Sequence, residues 1–364
     1  MQRAIPCSIM RGGTSKGLYF LAADLPQEPT QRDQLLLTLM GSPDERQIDG
    51  LGGAHPLTSK VAIVSPSSRD DADVDYLFLQ ITVDKAQVSD SQNCGNLLAG
   101  VGPFSIEQGL INCTEHDVSN DFADIRIHMV NTGAIAVARV ALQQGMVTYQ
   151  GDARIDGVPG TSAPITIDFL DIAGSSCGTL FPTGNAIDDI NGVNVTCIDN
   201  GMPVVILSAS DFGLKGDESP AALESNQLLK QQIEAIRLQA GLKMNLGDVS
   251  NKTVPKMSLV SAPQKAGHIN TRTFIPHRVH EAIGVLGSVS VATACVLNGT
   301  VANQFASAQF SDGNFDVVVE HPTGQFNVEM QVTEANDIKG FTVHRSALLR
   351  TARLLMVGSA MLPD

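Results

Sequence analysis

Polar and apolar positions along this chain alternate more often than they recur at helical spacing. Segments such as "VAIVSPS", "VDYLFLQITVD", "IRIHMVNTG", "IAVARVAL", "MVTYQGD", "ITIDFLD", "VNVTCID", "MPVVILSA", "VPKMSLVSA", "FDVVVEHP" and "FNVEMQVTE" gather β-branched and aromatic residues between Gly, Pro, Asn and Asp. That is the pattern of short strands separated by turns. Two segments carry helical spacing instead. "QRDQLLLTLM" runs up to Gly41, and in "SNQLLKQQIEAIRLQAG" Leu229, Ile233, Ile236 and Ala240 recur on one stripe before Gly241. Each is expected to be a surface helix with one buried side and a glycine at its stop.

Two further segments have no polar face. "GNLLAGVGPFSIEQG", from Gly95 to Gly109, and "EAIGVLGSVSVATACVL", from Glu281 to Leu297, are rich in small residues and nearly apolar all round. A helix of that kind must be enclosed on every side. One enclosed helix in each half of a strand-rich chain predicts an α+β protein of two similar domains, each a β-barrel-like sheet wrapped around a central apolar helix. The boundary is expected near 183–200, in turn-rich sequence. This divides the chain into 1–190 and 191–345, with a C-terminal segment, 346–364, returning to the first domain.

Composition narrows the function. The 364 residues are 43% hydrophobic, enough for a substantial core. A formal net charge of −14 and the lack of any basic stripe argue against a nucleic-acid partner. The cysteines at 7, 94, 113, 177, 197 and 295 form no C-x-x-C pair and no metal-ligand spacing, so neither a metal site nor a disulfide framework is expected. "MQRAIPCSIMRGGTSKG" lacks the apolar core of a signal peptide. The longest charge-free stretch, from Ala282, is broken by Gly, Ser, Thr and Asn, unlike a bilayer span. A cytoplasmic protein with reduced thiols and no membrane partner is the expectation.

Candidate chemistry begins at "SQNCGNLLAGVG" (91–102). Cys94 stands where an apolar helix starts, between Asn93 and Gly95–Asn96. Free backbone amides and the positive end of the helix dipole favour a bound carboxylate and a thiolate there. Lys60 closes the polar loop "GGAHPLTSK" and opens an apolar strand, a place where partial burial suits an acid/base amine. In "MRGGTSKG", Gly12 and Gly13 let backbone amides approach an anion, and Arg11, Thr14, Ser15 and Lys16 add charge and hydroxyls. The spacing is not that of a Walker A loop. Gly52, Gly53, Thr58 and Ser59 are expected in the same pocket. From the second half, Met202 within "GMPVV", Arg272 and the helix start at Gly287–Ser288 are candidates to hold the far carboxylates. His277 and His280 in "PHRVH" lack a third metal ligand and read as structural.

The segments "IPCSIMRGGTSKGLYF", "MGSPDERQIDGLGGAHPLTSKVAIV", "DADVDYLFLQ", "QNCGNLLAGVGPF", "RIDGVPGTSAPI", "CIDNGMPVVIL", "IRLQAGLKMNLGDVSNKTVPKM" and "RTFIPHRVHEAIGVLGSVSVATAC" resemble, nearly end to end, the cofactor-independent isomerase family that contains methylitaconate and aconitate isomerases. The resemblance implies the diaminopimelate-epimerase-like fold, with the active site between the two domains. It further implies proton transfer within a small unsaturated di- or tricarboxylate without cofactor or metal, by Lys60 and Cys94, and a homodimer is the expected assembly. Keto–enol or allylic tautomerisation of an oxo-tricarboxylate is the leading expectation. Isomerisation of aconitate, 2-methylaconitate or methylitaconate, and a non-catalytic carboxylate-binding protein, are the alternatives. Racemases of this fold oppose two cysteines, one at each central helix. Here the second helix begins "GVLGSVS" and its only cysteine, Cys295, lies deep along it, so a two-thiol racemase is not expected.

Overall fold

The computed structural model describes residues 2–91, 93–170, 172–276, 278–308, 310–335 and 341–363. The chain divides into two compact units, Met1–Ile167 with Leu349–Asp364, and Asp168–Leu348. The division falls before the turn-rich stretch where the sequence placed it. Residues just past Asp168 are tied to a strand of the second unit: Gly174 N–H donates to Asp199 O, Asp199 N–H donates to Leu180 O, and Ala173 bridges to Asn200.

In the first unit, Arg3–Gly12 and Ser15–Leu21 form a hairpin. Ser15–Leu21 runs parallel to Lys60–Pro66, which is antiparallel to Val74–Ile81. The sheet continues with Phe122–Met129, parallel to Val74–Ile81, and then Ala134–Gln143, antiparallel. The C-terminal strand Ala352–Leu362 returns to the other flank, antiparallel to Arg3–Gly12. The helix Gly95–Glu107 touches every one of these strands, which is how an apolar helix with no polar face finds enclosure. The opposite face of the sheet carries Ile5, Cys7, Leu18, Phe20, Val61, Ile63, Leu79 and Ile81. It is covered by Leu35, Leu36, Leu39 and Met40 of the helix Pro29–Met40, which ends at Gly41 in the left-handed conformation, φ 77°.

The second unit repeats the pairing order. Val193–Asp199 and Pro203–Ser208 are antiparallel, Pro203–Ser208 is parallel to Lys256–Ser261, and Lys256–Ser261 is antiparallel to Ile269–Ile275. Ile269–Ile275 is parallel to Gly313–His321, which is antiparallel to Gly324–Glu334. An outer helix, Gln227–Lys243, covers one face with Leu229, Ile233, Ile236 and Ala240, against Val205, Leu207, Met257, Leu259 and Phe274. The central helix Val285–Val296 is buried along its whole length. Its hydroxyls are satisfied inside: Ser288 Oγ donates to Val285 O (2.7 Å), Thr293 Oγ1 to Val289 O (2.8 Å) and Ser290 Oγ to Met202 O (2.8 Å). Each unit is thus a mixed sheet between an outer and a central helix, the α+β arrangement expected. Among the described residues no helix is long and apolar enough to cross a membrane.

One expectation about a helix end differs. Gln227–Lys243 runs through Gly241. A Cβ at Gly241 would lie 2.5 Å from Val249 Cγ2, so this glycine serves close packing within the helix and does not stop it.

Candidate active site

Strand alternation sorts the candidate residues of the first unit onto two faces. Gly12 and Gly17 point at the central helix. A Cβ on Gly12 would collide with the Asn96 carbonyl, and one on Gly17 would lie 2.5 Å from Lys60 O and 3.0 Å from Leu97 Cδ2. Ser15, paired with Gly12, shares this inner face. Lys60 is the register partner of Gly17 and of Gln80, and Tyr76 and Phe78 alternate with Gln80 on that same side.

Cys94 is the N-cap of the central helix, in an extended conformation, and its side chain caps no backbone amide. The first amides of Gly95–Glu107 are therefore left for another acceptor, with the dipole favouring an anion. The Tyr76 hydroxyl donates to Cys94 O (3.3 Å) and the Tyr19 hydroxyl to Leu97 O (2.5 Å). Burial pushes both phenols well above their ordinary range, so both remain donors that pin the first turn. Asn96 reaches the Gly12–Gly13 turn: its Nδ2 donates to Thr14 Oγ1 (3.1 Å), and its Oδ1 accepts from Thr14 N–H (3.5 Å). Two buried polar atoms beside this start have no hydrogen-bond partner among the described residues, Ser15 Oγ and Asn93 Oδ1. Asn93 uses only its Nδ2, which donates to Thr132 Oγ1 (2.7 Å). A buried hydroxyl and amide oxygen left open beside uncapped helix amides are what a polar ligand would complete.

Lys60 is 7% exposed. Its Nζ donates to Gln80 Oε1 (2.7 Å) and stands 5.0 Å from the centroid of the Phe78 ring. Gln80 is itself fixed, its Nε2 donating to Ser59 O (2.9 Å) and Pro56 O (3.1 Å). The sequence offered no sign of Gln80; its role emerges from the register that sets it opposite Lys60.

The glycine-rich loop before Lys60 is built around buried Gln47, another residue the sequence reading missed. Its Nε2 donates to Ser59 Oγ (2.7 Å), and its Oε1 accepts from Ala54 N–H (2.9 Å). Ser59 Oγ is thus committed to holding the loop. Gly52 packs on the Gln47 amide and Gly53 on the Thr58 side chain, leaving no room for a Cβ at either.

Arg11 and Lys16 lie opposite each other on adjacent strands, one residue out of phase with Gly12 and Gly17. They face away from the central helix. Arg11 Nη1 donates to Gly13 O (2.9 Å), Thr351 O (2.9 Å) and Thr351 Oγ1 (3.0 Å). In the second unit Arg272 pairs with Leu259, on the face under the outer helix. Its guanidinium donates to Glu218 O (2.7 Å), Asn270 Oδ1 (2.9 Å) and Thr271 O (2.8 Å). Met202 follows Gly201, whose φ of 85° brings the turn against Ile172 and Leu286, and the Ser288 hydroxyl is turned back on its own helix. His280 Nδ1 accepts from Ala282 N–H (2.9 Å); His277 lies outside the described residues.

Burial pushes the thiols of Cys177, Cys197 and Cys295 up, that of Cys197 to about 12, which keeps them protonated. No group of three or more His, Cys, Asp or Glu arranged to hold a metal occurs among the described residues.

Residues 2–363 match the family model of the PrpF protein. The chain belongs to the PrpF family. It is 57% identical to the 4-oxalomesaconate tautomerase of Pseudomonas putida over 98% of this chain and 96% of that one. It is 56% identical to the (4E)-oxalomesaconate Delta-isomerase of a Novosphingobium species, over 97% and 96%. Among solved structures, a methylitaconate-delta-isomerase superposes with a TM-score of 0.82 at 34% identity, covering 99% of this chain and 96% of that one. The fold expected from the two enclosed helices is the fold of this PrpF-family chain.

Proposed function

We propose that this PrpF-family chain is a 4-oxalomesaconate tautomerase, moving a proton within an unsaturated oxo-tricarboxylate. The observation that carries the reading is the inner face of the first unit. Lys60 shares that face with Tyr76, which holds the carbonyl of Cys94, and the uncapped helix start lies beside the unpartnered Ser15 Oγ and Asn93 Oδ1. The identity of 57% over nearly the whole chain to a relative of that name supports the choice of substrate.

The amine of Lys60 removes a proton from the carbon between the keto group and the double bond. The electron pair moves into the conjugated system as a dienolate. Amides of Gly95 and Asn96, with the Ser15 hydroxyl, hold a carboxylate and the developing negative charge. Proton return to oxygen gives the enol, and return to the remote carbon gives the allylic isomer, with Cys94, the N-cap of the central helix, as the proton donor of this proposal. An enol O–H is a donor, and Asn93 Oδ1 is a buried acceptor lacking one. The substrate's own carbonyl and carboxylates delocalise the charge, so the steps balance with no redox cofactor. A cytoplasmic homodimer belongs to the same proposal, with the mass in solution as its check.

Methylitaconate or 2-methylaconitate isomerisation is the second reading, favoured by the methylitaconate-delta-isomerase superposition. Following each acid by its ultraviolet absorbance separates the two. The decisive experiment is incubation in heavy water. The native protein should wash deuterium into the carbon beside the carbonyl faster than buffer does, and Lys60→Met should fall to the buffer rate. Binding without exchange would make the chain a carboxylate-binding protein, and unchanged exchange in Lys60→Met would move the base elsewhere.

A further inference from the structure

On the outer face of the first unit, three cations stand in one cross-strand row. Lys16 is directly opposite Arg11, and Arg11 directly opposite Arg353. Like charges set opposite each other in a sheet are destabilising. Burial first, and then Arg353 beside it, hold the Arg11 guanidinium below its ordinary range. The outer helix Pro29–Met40 covers the apolar part of this face. Around the row lies a cleft of about 580 Å³, with Thr14, Thr58, Thr161 and Ser162 offering hydroxyls and no Asp or Glu in its lining. Arg11 Nη2 has only a 3.4 Å contact with Ser162 Oγ, and the side chains of Lys16 and Arg353 have no ion pair or hydrogen bond with any described residue. A chain of net charge −14 has kept every carboxylate out of this one lining.

We propose that this row is a second anion site, separate from the helix start at Cys94, and that it takes a small polycarboxylate. Neighbouring strands lie about 5 Å apart, so the row spans roughly 10 Å. A compact tetrahedral anion meets one or two of the three cations, whereas a chain with carboxylates at both ends and along its length meets all three. Arg353 is placed for a two-pronged contact with one carboxylate, Lys16 holds another at the far end, and Arg11 lends charge in the middle. The sheet itself separates this row from Ser15 and Gly17 on the inner face, and only Thr14, in the loop between the two strands, both lines the cleft and bonds Asn96 at the helix start. Binding at this row is independent of the reaction proposed for the inner face.

The probe is tricarballylate, a saturated tricarboxylate with no double bond to move, titrated calorimetrically into the full chain, with pyrophosphate as the comparison anion. Arg353→Gln should weaken one tricarballylate site by about 10-fold or more, as expected for a lost charged hydrogen bond, while Ser15→Ala leaves that site unchanged. Lys16→Gln, also exposed to the cleft, should repeat the effect, and melting curves check that each variant is folded. Wild-type binding in Arg353→Gln would overturn the proposal. Equal weakening by Ser15→Ala would assign the row to the helix-start site and overturn it too. Pyrophosphate binding tenfold tighter than tricarballylate at the Arg353-dependent site would make it a phosphate site, against the carboxylate assignment.

Discussion

Replacing Gly17 by Ala should damage turnover out of proportion to stability. The added Cβ would lie 2.5 Å from Lys60 O and 3.0 Å from Leu97 Cδ2. The first distance is about half an ångström short of the closest approach real Cβ atoms make, and the atom in the way is backbone, which no rotamer change relieves. Overpacking of this kind costs about 1–3 kcal/mol, offset by some 0.4–1 kcal/mol from the stiffer unfolded chain. The net loss of about 1–2 kcal/mol lowers Tm by roughly 2–8 °C for a unit of this size. The displacement falls on Lys60 and on the first turn of the central helix together. Since a misplacement near 1 Å costs about 10²-fold, half of it should lower kcat by about 10-fold. Gly109→Ala is the control: φ there is 71° and no atom lies within 4 Å of the new Cβ, so it costs about 1–2 kcal/mol of left-handed strain without touching the site. Deuterium exchange and thermal unfolding on both variants decide the matter. Wild-type kcat in Gly17→Ala, or an equal loss in Gly109→Ala, would refute the reasoning.

Other consequences follow from the same geometry. Gln80→Leu removes the acceptor of Lys60 Nζ; a loss of about 1–3 kcal/mol should appear mainly in kcat, and a change confined to KM would count against Gln80 as the residue that positions Lys60. Cys94→Ala should lower turnover by about 10²–10⁴ if the thiol transfers a proton, while Cys295→Ala, deep in the second central helix, should leave it nearly unchanged; equal losses would point to packing. Iodoacetamide at pH 8 should leave Cys197 and Cys295 of the native protein unlabelled, because burial keeps both thiols protonated at that pH, and peptide mapping would expose any labelling. Activity should survive exhaustive chelation and dialysis, and recovery of lost activity by one added metal would contradict a reaction carried by side chains alone.

Much of the fold was legible because enclosure leaves a plain trace: a helix with no polar face has to be surrounded, and Gly95–Glu107 and Val285–Val296 are. The N-terminal hairpin was harder to read as strands. Gly12, Gly13 and Gly17 there resemble turn punctuation, yet Gly12 and Gly17 are needed because the helix backbone and the Lys60 carbonyl pass too close for a Cβ. Gly241 misled for the same reason in the opposite sense, a packing glycine in the place of a helix stop. The repeat between the two units was visible only as architecture. What repeats is the order of parallel and antiparallel pairings, and backbone hydrogen bonds set that order without fixing which side chains recur.

The candidate site was legible where its residues are neighbours in sequence and hidden where it depends on register. Cys94, Gly95 and Asn96 are neighbours along the chain, and their position at a helix start already implies free amides. Gln80 and Arg353 are ordinary strand residues until pairing sets them opposite Lys60 and Arg11. Register also divides what the sequence had joined: in "RGGTSKG", Gly12, Ser15 and Gly17 face the central helix, while Arg11 and Lys16 face out. A short motif in a strand hairpin therefore serves two surfaces at once. Its uncharged members leave room and an open hydroxyl beside Cys94, and its charged members build a positive row on the far side. An acidic chain can present a locally positive cleft in this way, because the field in a cleft is set by the charges lining it far more than by the net charge of the whole.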